Sequence, residues 1–130
     1  MPVADTSFIV DLIRKNAGAL DLYSDLQDRN IPIATTVVTV LELYRGAQRS
    51  RNRAKNVEWV RRLLKQFLIL PIDEQACETY GALSALLQEK GASIGDFDEV
   101  IASIALCYDR ELITRDTHFS RISGLKILPY

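Results

Sequence analysis

The chain has 130 residues, 48% of them hydrophobic and 25% charged, with a formal net charge of -1. That balance suits one soluble globular domain and excludes disordered, fibrous and uniformly basic nucleic-acid-binding classes. No apolar run approaches the roughly 20 residues of a membrane span, and Met1-Pro2-Val3-Ala4-Asp5 lacks a signal-peptide pattern, so the expected compartment is the cytoplasm.

Short apolar runs alternate with segments of helical period along the whole chain. Pro2-Val3-Ala4 reads as a strand and Thr6 to Lys15 as a helix carrying Phe8, Ile9, Leu12 and Ile13. A helix follows over Gly18 to Arg29. The next expected strand is Ile31 to Ala34, with Pro32 near its start, where a missing N–H is tolerated. Thr36 to Gln48 reads as a helix with Val37, Val40, Leu41, Tyr44 and Ala47 on its buried face, and another helix passes through Val57, Val60, Leu64 and Phe67. Leu68 to Pro71 is expected as a short buried strand. Asp73 is placed to cap a helix striped by Ala76, Tyr80, Leu83 and Leu87 that ends near Gly91. Last come a helix ending at Tyr108, a strand at Leu112-Ile113-Thr114 and a strand at Lys126-Ile127-Leu128. Cys77 and Cys107, each among apolar neighbours, are expected to be reduced, buried thiols.

Wholly apolar short strands separated by helices imply an α/β fold, a parallel sheet covered on both faces. No repeat or linker divides the chain, so one domain over 1–130 is expected. Ligands in such sheets bind outside the carboxyl ends of the strands, at a topological switch point. Asp5 directly follows the first strand, and Asp116 comes two residues after Leu112-Ile113-Thr114, so both lie at that edge. Each alone is adequately explained as a cap or turn former.

Gly95 to Ser103, "GDFDEVIAS", holds three more acids. Asp96-x-x-Glu99 has the spacing of a capping box, and the wheel puts Glu99 opposite Phe97, Ile101, Ile104 and Tyr108, facing water. Asp98 flanks Ile101, Ala102 and Ala105, at the margin of the core, where a carboxylate is costly unless paired, hydrogen-bonded or metal-bound. Glu42 in "VLELYRG" is placed at the surface by the same reasoning. Carboxylates without a His/Cys cluster are hard oxygen donors for Mg²⁺ or Mn²⁺. One histidine, His118, and two distant cysteines form no zinc spacing, and no P-loop, dinucleotide fingerprint or nucleophile motif occurs.

Charge is unevenly spread. Arg45, Arg49, Arg51, Arg53, Lys55, Arg61, Arg62 and Lys65 are accompanied by a single acid, Glu58. Such a strip is either a solvated helix face or a track for a polyanion.

Four segments in order resemble the PIN-domain ribonucleases, and most closely the VapC-type toxins of toxin–antitoxin pairs. They are "VADTSFIVDL", "ELYRG", "IGDFDEVIASIA" and "LITRDTHFSRISGLKI". The resemblance implies a PIN-like three-layer α/β/α sandwich with a five-stranded parallel sheet and a Mg²⁺- or Mn²⁺-dependent endoribonuclease. It implies Asp5, Asp98 and Asp116 as metal ligands, Glu42 as the fourth catalytic acid, and Thr6 as a residue orienting the cluster. Arg45, in the basic strip, becomes a substrate candidate. Asp96 is an acid beyond the family pattern, either the helix cap or an outer contributor to the site. An RNA substrate, a cognate antitoxin and a homodimeric state are implied in the same way. The alternatives are a catalytically silent PIN scaffold that binds RNA or protein, which the full set of acids opposes, and a phospho-receiver domain. A receiver needs paired acids after its first strand, where Asp5 stands alone.

Overall fold

The structure, a computed structural model, describes residues 1–130. Strand β1 (Val3–Ala4) is the centre of a five-stranded sheet. It pairs in parallel with β2 (Ala34–Thr36) on one side, Val3 opposite Ala34, and with β4 (Glu111–Ile113) on the other, Val3 opposite Leu112. The strands β3 (Leu68–Leu70) and β5 (Lys126–Leu128) form the two edges, so the order is β3-β2-β1-β4-β5. The chain winds outward from β1 to β3 and then returns to place β4 beside β1. The switch point therefore falls between β1 and β4.

Side chains alternate between the two faces of each strand. Val3, Ala34 and Leu112 pack under α5 (Glu74–Glu89) and α6 (Asp96–Leu106), against Leu83, Leu87, Ile101 and Ile104. Ala4 and Ile113 face the other way, toward Phe8 and Ile9 of α1 (Thr6–Ile13) and Leu26 of α2 (Ala17–Asp28). Leu43 of α3 (Val37–Gln48) and Val60 of α4 (Arg53–Leu64) complete that side. The expected three-layer parallel architecture is what the chain forms.

Several local expectations are corrected. The second strand is Ala34–Thr36, not Ile31–Ala34, because Ile31 N–H is used to close α2 on Leu26 O (2.9 Å) and Pro32 has no N–H to give. β-Branched Thr35 and Thr36 extend the strand instead, and Thr36 caps α3 rather than joining it. The face of α3 that packs inward also differs from the expected one: Val38, Thr39, Leu43 and Ala47 are buried, whereas Leu41 is exposed. Strand β3 is not buried throughout, since Leu68 is 56% exposed at the sheet edge and only Leu70 is inside. Phe67 is buried but stands after α4, in the turn leading to β3. Cys77 is exposed and Cys107 half-buried, so neither is a core thiol; Cys77 misses the buried stripe of α5 by one position, which Ala76 takes.

Candidate active site

Three of the proposed acids are delivered by the carboxyl ends of β1 and β4 and by the start of α6. Asp5 is 3% exposed and is the N-cap of α1. One carboxylate oxygen accepts from Phe8 N–H (3.0 Å) and Ser7 Oγ (2.7 Å), and the other from Thr114 Oγ1 (2.5 Å). Burial nevertheless outweighs these bonds and pushes its pKa above the ordinary aspartate range, with the Asp116 charge adding to the rise. Asp116 caps the short 3-10 turn Thr117–Arg121, accepting from His118 N–H (2.9 Å), with His118 Nδ1 at 2.8 Å. Its own N–H donates to Thr114 Oγ1 (2.9 Å). A single hydroxyl, Thr114, thus ties the ends of the two strands that flank the switch point.

Glu42, which periodicity puts at the surface and the resemblance puts among the acids, is half-buried and near enough to Asp98 for its charge to raise that carboxyl's pKa. The buried face of α3 is the one bearing Val38, Thr39, Leu43 and Ala47, which turns Glu42 toward α1, where Thr6 Oγ1 donates to Glu42 Oε1 (2.6 Å). Thr6 is itself 3.2 Å from the Thr39 hydroxyl, which is bonded in turn to Thr36. Thr6 was singled out through the family resemblance, whereas Thr36, Thr39, Ser7 and Thr114 were not. Their signal was the run of hydroxyl residues at the ends of adjacent parallel strands.

The start of α6 also departs from expectation. Gly95, at φ 108°, takes the cap position, a conformation that excludes most residues with a side chain. Asp96 is therefore the first helical residue, exposed, and caps nothing through its side chain. Glu99 does not face water. It is 2% exposed, and its carboxylate accepts from Ile94 N–H (3.1 Å), bracing the loop before the helix. This phase brings Asp98 to the rim of the site. Burial, then the charges of Asp116, Glu42 and Asp5, push its carboxyl up to about 6, and no hydrogen-bond donor offsets them.

Arg45, the substrate candidate, is exposed, with its guanidinium 5.8 Å from the Phe97 ring centroid, a cation–π contact beside Asp98 in sequence. The remaining basic residues from Arg49 to Lys65 are exposed too, and Glu58 among them is bonded to Arg61 and Arg62.

The four acids thus interact electrostatically, but no three His, Cys, Asp or Glu side chains are gathered into a ready-made chelating set. A tight all-protein cage, as for zinc or calcium, does not fit. Mg²⁺ does, since it keeps several waters and needs only one or two carboxylates directly. An all-oxygen donor set whose members repel one another is chemically suited to a hard divalent cation.

The PIN domain family model matches residues 3–125. The ribonuclease VapC2 of Rickettsia felis is 29% identical over 122 residues, covering 93% of this chain and 91% of that protein. The tRNA(fMet)-specific endonuclease VapC of Salmonella typhimurium is 31% identical over 91 residues, 69% of each chain. A crystal structure of VapBC2 from Rickettsia felis bound to a promoter DNA fragment overlays with a TM-score of 0.89 at 26% identity. The overlay covers 98% of this chain and 97% of that one. From the central strands to the closing turn, the chain belongs to the PIN-domain family, and within it to the VapC group.

Proposed function

We propose that this protein is a Mg²⁺- or Mn²⁺-dependent endoribonuclease that hydrolyses RNA phosphodiester bonds, the toxin of a toxin–antitoxin pair. The observation that carries the reading is Asp98: a half-buried carboxylate, without a donor, held up to about 6 by burial and three other acids. Such a group destabilises the fold unless something positive occupies the space between the acids.

Asp5, Asp98 and Asp116 would hold the cation. When bound, it lowers the pKa of water and neutralises charge on the scissile phosphate. The chain's own residues do the positioning. Ser7, Thr114 and the Phe8 amide fix both oxygens of Asp5. Thr6 fixes Oε1 of Glu42, leaving Oε2 to accept a proton from the attacking water. The His118 imidazole, beside Asp116 and exposed, is available to the phosphate or to the leaving oxygen. Asp96 is exposed and bonded to nothing at the site, so its role is at most electrostatic.

A cognate antitoxin is the proposed partner, because the matched Rickettsia felis structure is of VapBC2. A homodimer is proposed with it, and the apolar edge at Leu68, Ile69 and Ile72 is surface that such an assembly would cover. The spread of the acids favours one other reading, the silent scaffold. The deciding experiment is cleavage of a mixed RNA set, transfer RNAs included, with Mg²⁺, Mn²⁺ or EDTA. Metal-dependent cleavage that Asp98→Asn reduces roughly 100-fold or more is expected. Full activity in that variant would sink the assignment, and binding without cleavage in either metal would favour the scaffold.

A further inference from the structure

A cleft of about 290 Å³ opens between α1, α3 and α4, and one of its walls is the Thr6–Glu42 pair of the candidate active site. The rest is mostly apolar, from Val10, Ile13, Leu43 and Val60, with Arg14 at the α1 side and Asn56 and Trp59 at the α4 side. Trp59 is 48% exposed, and it also borders a second, shallower hollow formed with Lys55, Glu58 and Arg62. Leaving so large an indole in water at the mouth of an apolar cleft serves no packing purpose.

From Glu42 outward, the surface thus runs from acids to an apolar cleft, then to an aromatic ring, then to a cationic helix face. On that face the lone acid, Glu58, is already bonded to Arg61 and Arg62, so Lys55 and the neighbouring arginines dominate the outward charge. This sequence of chemistries matches single-stranded nucleic acid, whose bases stack on aromatic rings while its phosphates follow cations. The volume lies at the small end of ligand pockets and suits one base rather than a larger group. The Asn56 amide, bonded to Ser50 Oγ (2.8 Å) through Nδ2, retains its carbonyl oxygen for a base edge.

We propose that this cleft is a base pocket: it receives one unstacked nucleobase of the RNA next to the scissile phosphate, with Trp59 stacking on it and Lys55 and Arg62 contacting the adjoining backbone. The proposal rests on the ribonuclease reading for its substrate, deepening it into a positioning device for the nucleotide beside Glu42.

Trp59 is the only tryptophan in the chain, so its fluorescence reports on the cleft directly. The probe is a short single-stranded RNA of mixed sequence, titrated with Mg²⁺ into the Asp98→Asn protein so that it stays intact. The same backbone carrying abasic residues is the control. Quenching of Trp59 by the intact RNA, with roughly tenfold weaker binding and no quenching for the abasic strand, is expected. Trp59→Ala should weaken the intact RNA by a similar factor and Trp59→Phe should recover most of it, with circular dichroism unchanged in both. Equal binding of intact and abasic strands, or an unaltered affinity in Trp59→Ala, overturns the proposal. So does an emission change produced by an apolar peptide and not by RNA, which would assign the cleft to a protein segment. Cleavage by the unmutated protein without any Trp59 response removes the pocket and leaves the ribonuclease reading standing. Base-dependent quenching with no cleavage in either metal does the reverse.

Discussion

Asp11 and Asp98 are both helical aspartates at the edge of the core, and their surroundings are opposite. Asp11, on α1, is 5% exposed, yet it accepts from Tyr130 OH (2.7 Å) and pairs with Arg115 Nε (3.0 Å). The arrangement is closed: Tyr130 also packs edge-on to Phe8, and its phenol is raised well above the usual range by burial and by its bond to Asp11. Asp98, on α6, is less buried but accepts no hydrogen bond, and the charges of Asp116, Glu42 and Asp5 raise its pKa against a smaller lowering by His118. The difference teaches that burial alone does not mark a functional acid. A carboxylate met by donors is structure, and one met mainly by like charge is where the proposed function would put a cation. The two regions are also connected, because Arg115 is the residue before Asp116. The Asp11 corner helps to fix the loop that carries an acid of the site.

The comparison breaks most severely if the closed corner is opened. Asp11→Ala leaves Tyr130 OH and Arg115 without their acceptor, so a loss of about 2–3 kcal/mol in unfolding free energy is expected in urea denaturation. Metal-dependent cleavage per folded molecule should fall less than in Asp98→Asn; an unchanged denaturation midpoint would show that the corner is not structural. The second prediction has the opposite sign. Asp98→Asn should stabilise the metal-free protein by about 1 kcal/mol, after allowance for solvent screening of a half-exposed group. The variant should also lose most of the thermal stabilisation that added Mg²⁺ confers on the unmutated protein. A destabilised variant would place Asp98 with Asp11, as a structural acid.

The smallest effect is in pH. A carboxyl whose folded pKa is about 6, against 3.8 unbound by the fold, binds its proton more readily in the folded state. It therefore disfavours folding above pH 6, and that penalty fades as pH falls from 6 toward 4. Metal-free unfolding followed across that window should show this stabilising contribution in the unmutated protein and not in Asp98→Asn. Identical slopes for the two would mean that Asp98 is not held up by its neighbours.

Two helix starts show how much of the site was legible in the chain. Around Asp5, the order strand, acid, hydroxyl pair, apolar helix reads directly, since a cap and a strand end are local features. At Gly95 to Glu99 the same local logic misled. A capping-box spacing was present, but Gly95, at positive φ, took the cap, and Glu99 was misplaced because the stripe expected inside included Phe97 and Tyr108, both exposed, whereas Glu99 itself is buried. Periodicity alone put Glu42 at the surface and only the resemblance set it among the acids, because α3 carries apolar residues on more than one face: Val38, Leu43 and Ala47 are inside and Leu41 is outside.

By itself the sequence determined the alternation of strands and helices, the parallel sheet that follows from it, and the edge where Asp5 and Asp116 lie. Its quoted segments also carried the resemblance to the family. Only the tertiary structure decided the phases of α3 and α6, and with them which acids face one another. It alone showed that Thr114 joins two strand ends, that Asp11 is satisfied, and that Trp59 borders a cleft beside Glu42. The physical reason is range. Apolar period and strand composition act over a few residues and are written in the chain, whereas burial and charge repulsion depend on neighbours far along it, as with Asp5 and Thr114 or Asp11 and Tyr130.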